Sequence, residues 1–130
     1  MADIAYVNGS FVEMNDATVS IKDRGLLFGD GVYEVAGVFE GILIDNDAPL
    51  ERLKRSLQEI KLALPMNFSE LAGLQRKLIH LNEIKEGTLY LHVTRGVSES
   101  RDFEFPKEQQ PSLVMSVSYT HLTLPTIYSV

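Results

Sequence analysis

Apolar residues follow two periods along this chain: alternating runs near both ends, and a three-to-four residue repeat between them. Ile4 to Val7, then Asn8-Gly9, then Phe11 and Val12 predict a β-hairpin, because Asn-Gly supplies the positive φ angles of a tight two-residue turn. Thr18 to Ile21 predicts a further short strand. Lys22 to Gly31 holds Gly25, Gly29 and Gly31 and predicts a shaped loop. Val32 to Phe39, β-branched and aromatic, predicts a second hairpin with Glu40-Gly41 and Ile42 to Ile44.

From Pro49 the period lengthens. Leu50, Leu53, Leu57, Ile60 and Leu64 recur as one buried helical face, with Pro49 in the first turn and Pro65 as the stop. A second helix opens at Asn67, with Glu70 three residues on in a capping-box arrangement. Leu71, Leu74, Leu78 and Leu81 line its buried side. Gly87 breaks the chain, Leu89 to Thr94 (LYLHVT) predicts a strand, and Leu113 to Ser116 one more. Hairpins, two helices and then strands make an α+β domain.

Bulk composition narrows the function classes. The 130 residues suffice for one domain with an ordinary core, and 45% apolar with 23% charged residues is a globular balance. A net charge of −6 argues against nucleic acid and anionic membranes, which require clustered positive charge. The absence of cysteine excludes disulfides, zinc–thiolate sites and a cysteine nucleophile. MADIAYVNGS has neither a basic start nor a long apolar core, and no apolar run reaches the roughly 20 residues of a membrane span, so the expected location is the cytoplasm. His80, His92 and His121 lack metal-ligand spacing and are read as structural; no metal is expected.

Chemistry concentrates in DRGLLFGDGVYE, Asp23 to Glu34, with ERL at Glu51 to Leu53 and VTRG at Val93 to Gly96. These motifs resemble those of class IV aminotransferases, the fold-type IV pyridoxal-phosphate enzymes, and most closely the D-amino acid (D-alanine) transaminases. The resemblance runs from about Ile4 to Ser116. It implies the N-terminal small domain of that fold, pyridoxal 5'-phosphate as cofactor, and transfer of an amino group from a D-amino acid to a 2-oxo acid. It also implies a homodimer in the intact enzyme. The FGDG glycines lack the spacing of a Rossmann or Walker phosphate loop and are taken as turn formers. Arg24 and Arg95 belong to the motifs, either as braces of the fold or as ligand contacts.

The resemblance carries three site residues. Arg52, in ERL, matches the arginine at the cofactor phosphate, where a guanidinium delivers parallel charged hydrogen bonds. Tyr33, in GVYE, matches a tyrosine hydroxyl at the substrate carboxylate, and the adjacent Glu34 is taken as supporting. Arg101, after VTRG, matches the arginine of an Arg-x-His pair that traps the same carboxylate across the dimer. Here Phe103 stands at the histidine position and Pro49 at another position where relatives more often carry histidine. None of Lys22, Lys54, Lys61, Lys77, Lys85 and Lys107 matches the Schiff-base lysine, which the family carries in its second domain, so no catalytic residue is assigned and the chain alone is expected to be inactive.

Val117 to Thr126, VSYTHLTLPT, resembles the translated junction of a transposase-based sequencing adapter. The expected division is therefore a domain at 1–116 and an adapter-derived tail at 117–130. Two other readings are aminodeoxychorismate lyase, which shares the glycine loop and cofactor, and a non-catalytic module that binds a small anion or dimerises.

Overall fold

The computed structural model describes residues 3–98 and 110–119. Its centre is a six-stranded antiparallel sheet in the order β2-β1-β6-β5-β3-β4. The strands are β1 (Ile4–Val7), β2 (Ser10–Glu13), β3 (Gly31–Phe39), β4 (Ile42–Ile44), β5 (Glu86–Thr94) and β6 (Ser112–Tyr119). Among the described residues three α-helices accompany it: α1 (Arg24–Phe28), α2 (Asp47–Glu59) and α3 (Phe68–Asn82).

Strand periodicity divides the sheet into two faces. Ala36 and Val38 of β3, Leu89, Leu91 and Val93 of β5, and Leu113, Met115 and Val117 of β6 point inward, where they meet Leu53 and Leu57 of α2 and Leu71 and Leu78 of α3. The alternate residues of β3 and β4 face outward and leave Tyr33, Val35, Phe39, Ile42 and Ile44 exposed. These five exposed side chains share one face of the sheet.

Both hairpins and the α+β class are as expected. Asn8 (φ 47°) and Gly9 (φ 101°) form the first turn, Glu40 (φ 52°) and Gly41 (φ 75°) the second. The Asn67 side chain accepts the Glu70 amide at 2.7 Å and opens α3.

Four local expectations need correction. Thr18 to Ile21 is not a strand; all four residues are exposed and pair with nothing in the sheet, so β propensity has no partner to act through. The glycine loop contains the single-turn helix α1, capped by the Asp23 side chain, which accepts the Gly25 amide at 2.8 Å. Helix α2 ends at Glu59 rather than before Pro65, because Lys61 turns left-handed (φ 56°) and directs Leu62 into the core. Gly87 does not break the chain: it lies inside β5, where a Cβ would collide with the Ser118 carbonyl.

Strand β6 is longer than expected and continues through Val117, Ser118 and Tyr119 beside β5, while the Tyr119 hydroxyl donates to the Asn82 carbonyl at 2.7 Å. Asn82, wholly buried, secures β1 from α3: its Oδ1 accepts the Ile4 amide at 2.7 Å and its Nδ2 donates to the Ile4 carbonyl at 2.9 Å.

Candidate cofactor and substrate site

The glycine-rich motif folds around a buried ionic brace. Arg24 and Arg95 are almost fully buried, and the Nε of each donates to the same Asp30 oxygen, at 2.9 and 2.8 Å. Arg24 also lies 4.7 Å from the Phe28 ring centre, and its backbone amide donates to the Gly96 carbonyl at 2.8 Å. A second Arg95 nitrogen donates to the Ile60 carbonyl at 2.7 Å, at the C-terminal end of α2. Asp23 accepts the Ser112 hydroxyl at 2.7 Å while it caps α1. The DRG, GDG and TRG motifs are thus tied to one another and to α2. In this structure Arg24 and Arg95 are braces of the fold.

Two glycines serve this packing. Gly29 ends α1 in the left-handed conformation (φ 64°). Gly31 lies so close to β5 that a Cβ would sit 2.5 Å from the Val93 carbonyl and 3.2 Å from the His92 ring nitrogen Nε2. The glycines are turn formers, as read from the sequence, and Gly31 is also a spacer against β5.

The brace holds the first half of β3 in a special position. Strand β4 pairs only with Gly37 to Phe39, so Gly31 to Ala36 has β5 on one side and, among the described residues, no strand on the other. Glu34 and Tyr33 project from opposite faces of this open stretch. On the helix side, Arg52 of α2 donates from Nε (3.2 Å) and Nη2 (3.0 Å) to one Glu34 oxygen. The Arg52 side chain is half exposed and that of Glu34 is 15% exposed. A guanidinium has five N–H donors; this pairing uses two and leaves three for an anion. Glu34, taken from sequence as a supporting residue, fixes the direction of Arg52.

On the other side, Tyr33 is 64% exposed and stands in register with His92 of β5. The Tyr33 ring centre lies 5.9 Å from that of Tyr90 and 6.3 Å from that of His92. Burial lowers the His92 pKa below its usual value, with the Asp23 charge acting the other way, and burial raises the Tyr90 phenol, helped by Tyr33. A cavity of about 260 Å³ adjoins, lined by His92, Thr94, Ser112, Val114 and Leu26 among others. Arg52 and Tyr33 therefore flank one strand edge from its two faces. Arg101 and Phe103 lie outside the described residues, as does Lys107. The described residues include no cluster of His, Asp and Glu suited to a metal.

Sequence reasoning misses Asp30, Tyr90 and His92 as site residues. The alternation in LYLHVT, with apolar Leu89, Leu91 and Val93 interleaved by Tyr90 and His92, carries the signal for two of them. Asp30 gives none, since its role depends on arginines brought together by the fold.

The amino-transferase class IV family matches residues 31–130, and the chain belongs to that family. Among curated proteins, D-alanine aminotransferase of Staphylococcus aureus (strain N315) is 44% identical over 110 residues, 84% of this chain and 39% of the relative. The solved 4-amino-4-deoxychorismate lyase of Pseudomonas aeruginosa is 26% identical, with a TM-score of 0.72 over 88% of this chain and 39% of that one. A branched-chain amino acid aminotransferase of T.th., solved with pyridoxamine 5'-phosphate, superposes with a TM-score of 0.84 over 95% of this chain and 42% of the other at 16% identity, which is a likeness of fold. The fold is that of the N-terminal part of these enzymes. The chain spans about two fifths of the length of the relatives it matches.

Proposed function

We propose that this chain is the N-terminal part of a pyridoxal-phosphate-dependent transaminase that moves the amino group of a D-amino acid, D-alanine or a close analogue, to a 2-oxo acid. The observation that carries the reading is the Glu34-directed Arg52 on one side of the open β3 edge, with the Tyr33 hydroxyl on the other. The 44% identity to a D-alanine aminotransferase favours this substrate class over the lyase.

The residues suit the cofactor. Arg52 keeps three N–H donors, enough for two oxygens of a phosphate, and Glu34 spares it the entropy of finding its orientation. Pyridoxal phosphate, when bound, supplies the electron sink for chemistry at the amino-bearing carbon. Tyr33 donates its hydroxyl to the substrate carboxylate, and Arg101 is assigned to the same carboxylate from a neighbouring subunit in a homodimer. The exposed apolar face of β3 and β4 is the surface through which this domain meets the rest of the enzyme. No transamination is expected of the chain alone, since none of its lysines matches the Schiff-base lysine of the family. Among the described residues no helix is long and apolar enough to cross a membrane.

The test compares pyridoxal phosphate with pyridoxal, which lacks the phosphate, in wild type and Arg52→Ala. Charged hydrogen bonds are worth about 1.5–3 kcal/mol, so the variant loses roughly 10–100-fold in affinity for the phosphate form and little for pyridoxal. Equal loss for both compounds would remove Arg52 from the phosphate. A visible absorbance band from cofactor bound to the 130-residue chain would show that a lysine of this chain serves after all.

A further inference from the structure

Tyr33, Tyr90 and His92 form a three-ring cluster on the open face of the sheet, and its chemistry is used neither by the phosphate site nor by the brace. The register explains the grouping: Tyr33 stands directly across from His92, and Tyr90 lies two residues before His92 on the same strand and face. The Tyr90 and His92 rings meet edge to face with centres 6.0 Å apart, and the Tyr90 hydroxyl oxygen is 3.0 Å from His92 Nδ1.

The direction of that hydrogen bond depends on the tautomer and the charge of His92. A neutral imidazole with its proton on Nε2 can only accept at Nδ1, so the Tyr90 hydroxyl donates inward and presents lone pairs to its surroundings. An imidazolium donates from Nδ1. The Tyr90 oxygen then accepts, and its own proton turns outward to the face that Tyr33 occupies. Starting from the Nε2–H tautomer, one proton taken from solvent by His92 therefore changes what Tyr90 offers a ligand from an acceptor to a donor. A carboxylate, which only accepts, is repelled by the first arrangement and held by the second.

We propose that the Tyr90–His92 pair is a proton-controlled carboxylate grip beside Tyr33, in which His92 acts through Tyr90 as a positioning residue. This rests on the reading that Tyr33 takes the substrate carboxylate. The titratable groups that face His92 among the described residues are Tyr33 from β3, Tyr90 from its own strand and Asp23 ahead of α1; β6 contributes uncharged Val114. Burial disfavours the imidazolium in the free protein, and Asp23 partly offsets this. A bound carboxylate adds a negative charge on the exposed side, so ligand binding and proton uptake favour one another.

The experiment follows the His92 imidazole of the full 130-residue chain by carbon-13 NMR, identified by its absence in His92→Gln, with D-alanine or with D-alaninol, which lacks the carboxylate. D-Alanine is expected to raise the His92 titration midpoint by about half a pH unit or more, and D-alaninol to leave it in place. The D-alanine dissociation constant should rise as the pH climbs from the free to the bound midpoint and level off above it, by about threefold in all for a half-unit shift. His92→Gln and Tyr90→Phe, both conservative in shape, should flatten that dependence, while Tyr33→Phe weakens binding at every pH. Binding that needs Tyr33 but is flat with pH, or a pH dependence that survives His92→Gln, overturns the inference and leaves the Tyr33 reading intact. If D-alanine binds none of these proteins in the millimolar range, the Tyr33 assignment fails and this inference falls with it.

Discussion

Replacing Asp30 with alanine tests whether the glycine-rich motif is chiefly a brace. The carboxylate is shared by Arg24 and Arg95, whose side chains are 2% and 0% exposed. Its removal leaves two guanidinium groups in the interior without their common counter-charge, and breaking such a buried pair typically costs about 3–5 kcal/mol. Arg95 keeps its bond to the Ile60 carbonyl and Arg24 keeps the Phe28 ring, so the lower end, about 3 kcal/mol, is expected. With a urea slope of about 1.5 kcal/mol per molar, the unfolding midpoint should fall by about 2 M. Asp30→Asn retains an oxygen that accepts but not the charge, and should lose roughly half as much. The assay is equilibrium urea unfolding followed by circular dichroism. An Asp30→Ala midpoint within about 0.3 M of wild type would refute the reasoning, because the arginines would then be satisfied without the carboxylate.

Gly31→Ala places a methyl group against the Val93 carbonyl and beside His92, and should destabilise the chain by about 1–3 kcal/mol in the same urea assay while altering the His92 NMR signal. His92 is held below its usual pKa by burial, so the unfolded chain takes up its proton first as the pH falls. Its contribution to stability is therefore present in full above the ordinary value of 6.5 and is lost as pH falls through the lower folded value; thermal melts from pH 8 to 5 should show this slope in wild type and lack it in His92→Gln. If Val117 to Thr126 derives from an adapter junction, resequencing the source DNA through the codon for Ser116 will read a different continuation. An unchanged VSYTHLTLPT in the source gene refutes that origin.

What can be read from the sequence is local. Asn8-Gly9, the Asn67 cap with Glu70, and Pro49 in the first turn of α2 each state their geometry within four residues, and each is found where expected. The errors arise where a distant partner decides. Pro65 has the chemistry of a helix stop, yet α2 ends six residues earlier, where the Ile60 carbonyl goes to Arg95 and Leu62 enters the core. Thr18 to Ile21 has strand-forming residues, but the sheet order gives it no neighbour.

The site divides in the same way. The resemblance supplies Arg52 and Tyr33, but sequence cannot say that Glu34, 18 residues from Arg52, aims its guanidinium, or that β4 pairs only with Gly37 to Phe39 and stops short of the edge between them. Nor can it decide between brace and ligand contact for Arg24 and Arg95; that requires Asp30 to be seen between them. Most of the signature from Asp23 to Gly31 thus secures the backbone, through a cap, an ionic brace and a glycine pressed against β5. Only its last two recognisable positions, Tyr33 and Glu34, face the candidate site. A motif that so dominates recognition of the family is, in physical terms, mainly the support for two side chains.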